Sequence, residues 1–208
     1  MNAIGVVLAG GRSSRMGTDK AELTFEGVTL VEHTFSILAL SNLEAVYVNK
    51  NIGLGKFSAK SNRLPEFNYI KDRFLNKGPL SGIHASLCQS LEKHEGRPVV
   101  LLPVDQPLIS YQSIKCLVSE ALHKQQSCYF DTQVDTKGQA KSNVLPLVIF
   151  DVQQALTAIE TIFNENKPLS LGFFLEHIQI SKIPHHKPHE FLNVNNPKDY
   201  QILISRKN

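Results

Sequence analysis

The chain opens on a short apolar run, Ile4 to Leu8, closed by Ala9-Gly10-Gly11. An unbroken apolar stretch of that length, stopped by glycine, predicts a parallel strand buried on both faces. Val31, Phe35 and Leu38 then recur at helical spacing and predict a helix over 28–41. Ala45 to Val48 is strand-like and ends at Asn49-Lys50-Asn51. Residues 52–66 read as a short helix or loop, and Tyr69-Ile70 as a short strand. Ile83, Leu87 and Leu91 at i, i+4 and i+8 mark one stripe of a helix over 80–93. Pro98 to Val104 is the most apolar short strand, and Ile114, Leu117, Val118 and Ala121 predict a helix over 111–124.

Strand and helix alternate through the first 124 residues, which argues for a parallel sheet with helices on both faces. The expected fold is therefore a three-layer α/β/α sandwich with a mostly parallel, Rossmann-like sheet. The second half is mixed. It predicts a strand over 144–150, a helix over 152–163, a short helix over 169–176 and a strand through Ile178, Ile180 and Ile183. Asn196-Pro197, an N-cap followed by proline at the first helical position, opens a last helix through Leu203. The polar stretch 131–143 reads as a loop or insertion, and no internal repeat is present.

With 208 residues the chain suits one domain, 1–208, with a core burying roughly 70% of the unfolded surface. Hydrophobic residues at 42% exclude a disordered chain. The net charge of +3 falls short of the basic excess of a dedicated nucleic-acid binder and suits a cleft for a small anion. Three cysteines without a CxxC give neither a disulfide framework nor a Cys-based zinc site, and reduced, buried thiols are expected. No apolar run reaches the roughly 20 residues of a membrane span, and no leader precedes the first strand, so a cytoplasmic protein is expected.

The chemistry concentrates in Leu8-Ala9-Gly10-Gly11-Arg12-Ser13-Ser14-Arg15-Met16-Gly17-Thr18-Asp19-Lys20. Paired glycines let backbone N–H groups approach an anion, and Arg12, Arg15 and Lys20 add cations just beyond a strand's carboxyl end. That combination points to a polyphosphate. A P-loop is excluded because Met16 stands where its second glycine is needed, and a dinucleotide fingerprint because Arg12 breaks GxGxxG.

The loop resembles the signature LAGGxSxRMGxDK of nucleotidyltransferases, most closely the molybdenum cofactor guanylyltransferases. The resemblance continues over most of the chain through separate motifs in order. It implies transfer of GMP from GTP to the phosphate of molybdenum-molybdopterin, with release of pyrophosphate. Leu8, Ala9, Gly10, Gly11, Arg12 and Lys20 would bind the nucleotide, with Arg15 and Lys20 neutralising phosphate charge.

Asp105 follows the apolar strand inside Pro103-Val104-Asp105-Gln106-Pro107, where it is either a turn residue or a ligand. The resemblance implies that it binds Mg²⁺, as in an xCDxP motif in which Val104 here replaces the cysteine. Asp72 precedes Gly78-Pro79-Leu80-Ser81-Gly82, which resembles the family's GPLAG turn; Asn49 ends the second strand. By resemblance both contact the nucleotide, and alone both suit turns. Asn193-Val194-Asn195-Asn196-Pro197 resembles NVNTPEEL and places Asn195 at the metal, while a helix cap accounts for it equally. Asp19 is expected to stabilise its loop.

Basic residues where the family docks its acceptor phosphate are sparse here, which leaves Lys141 and Lys167 as candidates. His185-His186-Lys187-Pro188-His189 is expected to be an irregular surface loop rather than a metal site, and Cys88 a core residue. Contact with other proteins of molybdenum cofactor biosynthesis is a further implication of the resemblance. The rival readings are a cytidylyl- or sugar-phosphate nucleotidyltransferase and a non-catalytic nucleotide-binding module.

Overall fold

The computed structural model describes residues 1–10, 19–50, 67–131 and 144–205. In chain order its elements are β1 (Ile4–Leu8), β2 (Thr24–Phe25), β3 (Val28–Thr29), α1 (Leu30–Leu40), β4 (Ala45–Lys50) and β5 (Asn68–Lys71). They continue through α2 (Pro79–Lys93), β6 (Val99–Pro103), α3 (Tyr111–Lys124), β7 (Ser127–Asp131) and β8 (Leu147–Ile149). The last are α4 (Val152–Asn164), α5 (Leu171–Leu175), β9 (Ile180–Pro184) and α6 (Pro197–Ser205). Two 3-10 turns, Lys20–Glu22 and Pro188–Phe191, complete the described chain.

Seven strands form one sheet in the order β5-β4-β1-β6-β8-β7-β9. Only β8 runs against its neighbours. The central strands alternate between two cores. Ala3, Val7, Val100 and Leu102 face α1 and α3, and Ile4, Val6, Val99 and Leu101 face α2 and α4. This double burial produces the uninterrupted apolar runs in the sequence. A third, smaller core joins the β2–β3 hairpin to α6 through Phe25, Leu30, Val194 and Leu203.

Apart from α2, which opens on Gly78-Pro79 without a side-chain cap, the described helices start where side chains satisfy their first N–H groups. Thr29 and Glu32 form a reciprocal capping box at α1, so this helix begins two residues later than the apolar spacing predicts. Val28-Thr29 is instead half of a hairpin turned by Glu26 and Gly27, both at positive φ. Ser110, Asp151 and Ser170 cap α3, α4 and α5. Strand β7 lies in a segment without a predicted element; it is five residues long and begins just after Gln126, the residue next to the left-handed C-cap Gln125. The stretch 52–66 and most of the polar stretch 131–143 lie outside the described residues.

Chain order sets the location of the site. From β1 the chain winds outward through β4 and β5 and then returns to β6 on the other side of β1. The carboxyl ends of β4, β1 and β6 therefore lie side by side at a reversal of winding, where open α/β sheets hold ligands. Leu8 at the end of β1 stands opposite Asn49 on one side and Pro103 on the other.

Candidate nucleotide site

Two groups of polar side chains flank the end of β1. The Ala9 N–H donates to the Asn49 carbonyl at 3.0 Å, and the Val104 N–H donates to the Leu8 carbonyl at 3.3 Å. These bonds fix where the glycine-rich loop departs. Gly10 is its last described residue on this side; Gly11, Arg12 and Arg15 lie outside the described residues.

On the β6 side, the chain re-enters at the Lys20–Glu22 turn. Asp19 caps it by accepting from the Ala21 N–H at 3.1 Å, so its carboxylate is committed to the loop as expected. Lys20 reaches across the end of the sheet. Its Nζ donates to Asn195 Oδ1 at 2.6 Å and lies 3.4 Å from Asp105 Oδ2. Three segments far apart in sequence thus meet on one ammonium group. Burial pushes the Asp105 carboxyl above the usual aspartate range, an effect that Lys20 opposes by its charge and hydrogen bond.

Asn195 is placed by its neighbours. The Val194 N–H donates to the Asp105 carbonyl at 2.8 Å. The N–H groups of Asn195 and Asn196 both donate to Asp199 Oδ2, at 2.8 and 3.1 Å. Asn196 Oδ1 in turn accepts from the N–H groups of Lys198 and Asp199. The two readings of this asparagine run therefore separate. Asn196 caps α6, and the Asn195 side chain is turned to Lys20. The signal in sequence is the Asn-Pro-x-Asp spacing, which pairs position 196 with 199 as a cap does.

On the β4 side, Asn49 Nδ2 donates to Asp72 Oδ1 at 2.8 Å and to the Ile70 carbonyl at 3.3 Å. Both side chains are buried. Burial raises the Asp72 carboxyl, with the Asn49 bond acting the other way. Gly82, the last residue of the Gly78-Pro79-Leu80-Ser81-Gly82 turn, makes room for this pair. A Cβ on Gly82 would sit 2.3 Å from Asn49 Oδ1, so α2 approaches β4 this closely only because position 82 lacks a side chain. Lys50, next on β4, is buried too, and its ammonium is pushed down by burial, with Asp19 and Glu22 opposing that shift.

The oxygens of Asp105 and Asn195 already converge on one cation, and hard oxygen donors of this kind suit Mg²⁺. No three His, Cys, Asp or Glu side chains gather as a metal site among the described residues. His185 departs from the expected surface loop. Its ring is buried between Phe130 and Phe191, at centroid distances of 4.5 and 4.9 Å. Cys88 is core, 3.7 Å from His84 Nδ1, and Cys128 is buried. Cys116 is exposed, against the expectation for all three thiols, because it lies on the outer face of α3. Of the acceptor candidates, Lys167 pairs with Glu165 at 3.5 Å and Lys141 lies outside the described residues.

Residues 5–169 match the MobA-like NTP transferase domain. A molybdenum cofactor guanylyltransferase of Xanthomonas euvesicatoria pv. vesicatoria is 29% identical over 204 residues, 96% of this chain and 93% of the relative. A probable molybdenum cofactor guanylyltransferase of Bacillus cereus is 26% identical, over 94% of this chain and 92% of the relative. Among solved structures, molybdopterin-guanine dinucleotide biosynthesis protein A of Archaeoglobus fulgidus superposes with a TM-score of 0.68 at 18% identity, covering 99% and 100% of the two chains. The 4-diphosphocytidyl-2C-methyl-D-erythritol synthase of Anaerococcus prevotii reaches 0.70 at 11% identity, covering 99% and 95%. The last two likenesses establish a shared nucleotidyltransferase fold. By the domain match over most of its length, the chain belongs to the MobA-like NTP transferase family.

Proposed function

We propose that this chain transfers GMP from GTP to the terminal phosphate of molybdenum-molybdopterin, giving the guanine dinucleotide cofactor and pyrophosphate. The observation that carries the reading is the meeting of Lys20, Asp105 and Asn195 at the carboxyl ends of β1 and β6. The full-length relatives named as guanylyltransferases support the choice of nucleotide and acceptor.

In this reading an acceptor phosphate oxygen attacks the α-phosphorus. A new P–O bond forms, the bond to the oxygen bridging α and β breaks, and pyrophosphate leaves with the electron pair. No protein nucleophile is needed, and the chain's work is positioning and charge compensation. The backbone after Leu8, through Ala9, Gly10 and Gly11, receives the nucleotide, with Arg12 and Arg15 on its phosphates. Lys20 holds Asp105 neutralised in the ligand-free chain and turns to the triphosphate when it enters. Asp105 and Asn195 would hold Mg²⁺, which when bound supplies neutralisation of the triphosphate and the leaving pyrophosphate.

Asn49 and Asp72 take the nucleoside end. A carboxylate only accepts hydrogen bonds. It matches the adjacent N1–H and exocyclic amino donors of guanine, whereas cytosine and adenine present a single amino group on that edge. Asn49 occupies one acceptor site of Asp72 Oδ1, and a carboxylate offers about four such sites over two oxygens, so both oxygens can still receive the base.

The test is turnover. Purified chain with Mg²⁺, molybdenum-molybdopterin and GTP is expected to release pyrophosphate and form the dinucleotide, and Lys20→Ala is expected to lower kcat by roughly 100-fold or more. Pyrophosphate release only with CTP would move the assignment to a cytidylyltransferase. Nucleotide binding without turnover on any acceptor would leave a binding module.

A further inference from the structure

Asn195 reaches Lys20 from a strap, residues 192–195, that is tied down at both ends. Asp199 ties the downstream end, as described above. The upstream tie is Glu190, a carboxylate buried to 3% exposure in the 3-10 turn Pro188–Phe191. Its Oε2 accepts from Ser113 Oγ at 2.6 Å and, more weakly, from the Ser110 N–H at 3.4 Å. Both donors sit at the start of α3, where an anion is favoured. His185 Nε2 lies 3.0 Å from Ser113 Oγ and 3.5 Å from Glu190 Oε2, and Lys187 Nζ lies 3.6 Å from Oε1.

A buried carboxylate is costly unless it is paired and hydrogen-bonded. These partners hold the Glu190 carboxyl below its ordinary value, against the burial that would raise it. An ionised side chain therefore pins the strap at one height over α3. Phe191 follows with its ring against Phe130 and His185. Three residues further, Val194 bonds the Asp105 carbonyl, and the next side chain is the Lys20 acceptor.

The geometry points to Glu190 as a positioning residue: clamped by Ser113 on α3, it sets the height of the 192–195 strap and so aligns Asn195 with Lys20 and Asp105. It touches neither nucleotide nor metal and acts through Asn195. Its effect on turnover rests on the transferase reading above; its effect on Lys20 does not.

The decisive experiment reads Lys20 directly. The ligand-free, full-length protein is treated with an amine-acetylating reagent, and acetylation of Lys20 is followed by mass spectrometry. Glu190→Ala and Ser113→Ala are expected to label Lys20 about tenfold faster than the native chain, since a charge-assisted bond is lost from its surroundings. Glu190→Gln, whose amide oxygen still accepts from Ser113, is expected to restore most of the protection. Melting curves establish that each variant is folded, and Ser113→Ala decides the matter should Glu190→Ala not fold. Native labelling rates in the folded variants, or a Gln variant that labels like the Ala variant, would overturn the proposal. In turnover, Glu190→Ala is expected to lower kcat by roughly 100-fold with KM for GTP changed less than about threefold, as for a misplacement remote from the chemistry. A native chain without turnover would defeat the transferase reading, while the labelling would still decide the role of Glu190.

Discussion

At the scale of single residues, the site is a set of charges whose environments oppose them. Asp72 is buried with one hydrogen-bonding side chain for company, and its carboxyl is raised. Its folded value thus lies above its unfolded value of about 3.8, so the native state binds the extra proton and stability falls as pH rises through that interval. Asp72→Asn should therefore raise stability at neutral pH by about 1 kcal/mol, with the gain vanishing below pH about 3.8 where the native carboxyl is already neutral. Paired melting curves at acid and neutral pH check this, and GTP binding should weaken in the same variant. Asp105 follows the same sign, but Lys20 opposes the shift. Lys20→Ala removes that opposition, so its loss of stability relative to the native chain should grow from pH 4 to pH 7. Equal losses at both pH values would mean that the pair is not coupled in this way.

At the scale of elements, the sequence reveals strands by burial and helices by stripe, and it fails where elements are short or where direction matters. The runs at β1 and β6 are legible because each strand feeds two cores at once. The β2–β3 hairpin, with two residues per strand, carries too little pattern to register. An apolar strand such as β8 does not encode its direction, so its reversal is visible only in the sheet. The site follows the same division. Lys20, Asp105, Asn49 and Asp72 are legible because each stands at or just past the end of a strand or a glycine-rich turn. Glu190 is not, and of Gly82 only the turn motif is, because their roles depend on which element packs against them. Gly82→Ala places a methyl within 2.3 Å of Asn49 Oδ1. It should cost about 1–3 kcal/mol in denaturant melts and displace Asn49, weakening nucleotide binding. A variant of native stability and affinity would show that α2 can shift away from β4.

At the scale of the whole molecule, the winding of the sheet gathers residues from positions 8 to 195 into one row of strand ends. In the proposed reading, nucleoside-end and phosphate-end groups fall on opposite sides of β1 because β4 and β6 do. The 192–195 strap and α6 close the β6 side, tied through Val194 to Asp105 and through Tyr200 Oη to the Thr24 carbonyl at 2.6 Å. Among the described residues no helix is long and apolar enough to cross a membrane. In the proposed reading this row of residues binds a nucleoside triphosphate, guanine by preference, with a metal at Asp105. Calorimetric titration of GTP, CTP and ATP in the presence of Mg²⁺, on the native chain and on Asp105→Ala, tests it most directly. GTP is expected to bind most tightly, and the substitution to remove most of the Mg²⁺-dependent affinity. Equal affinities for the three nucleotides, or GTP binding indifferent to both Mg²⁺ and Asp105, would contradict it.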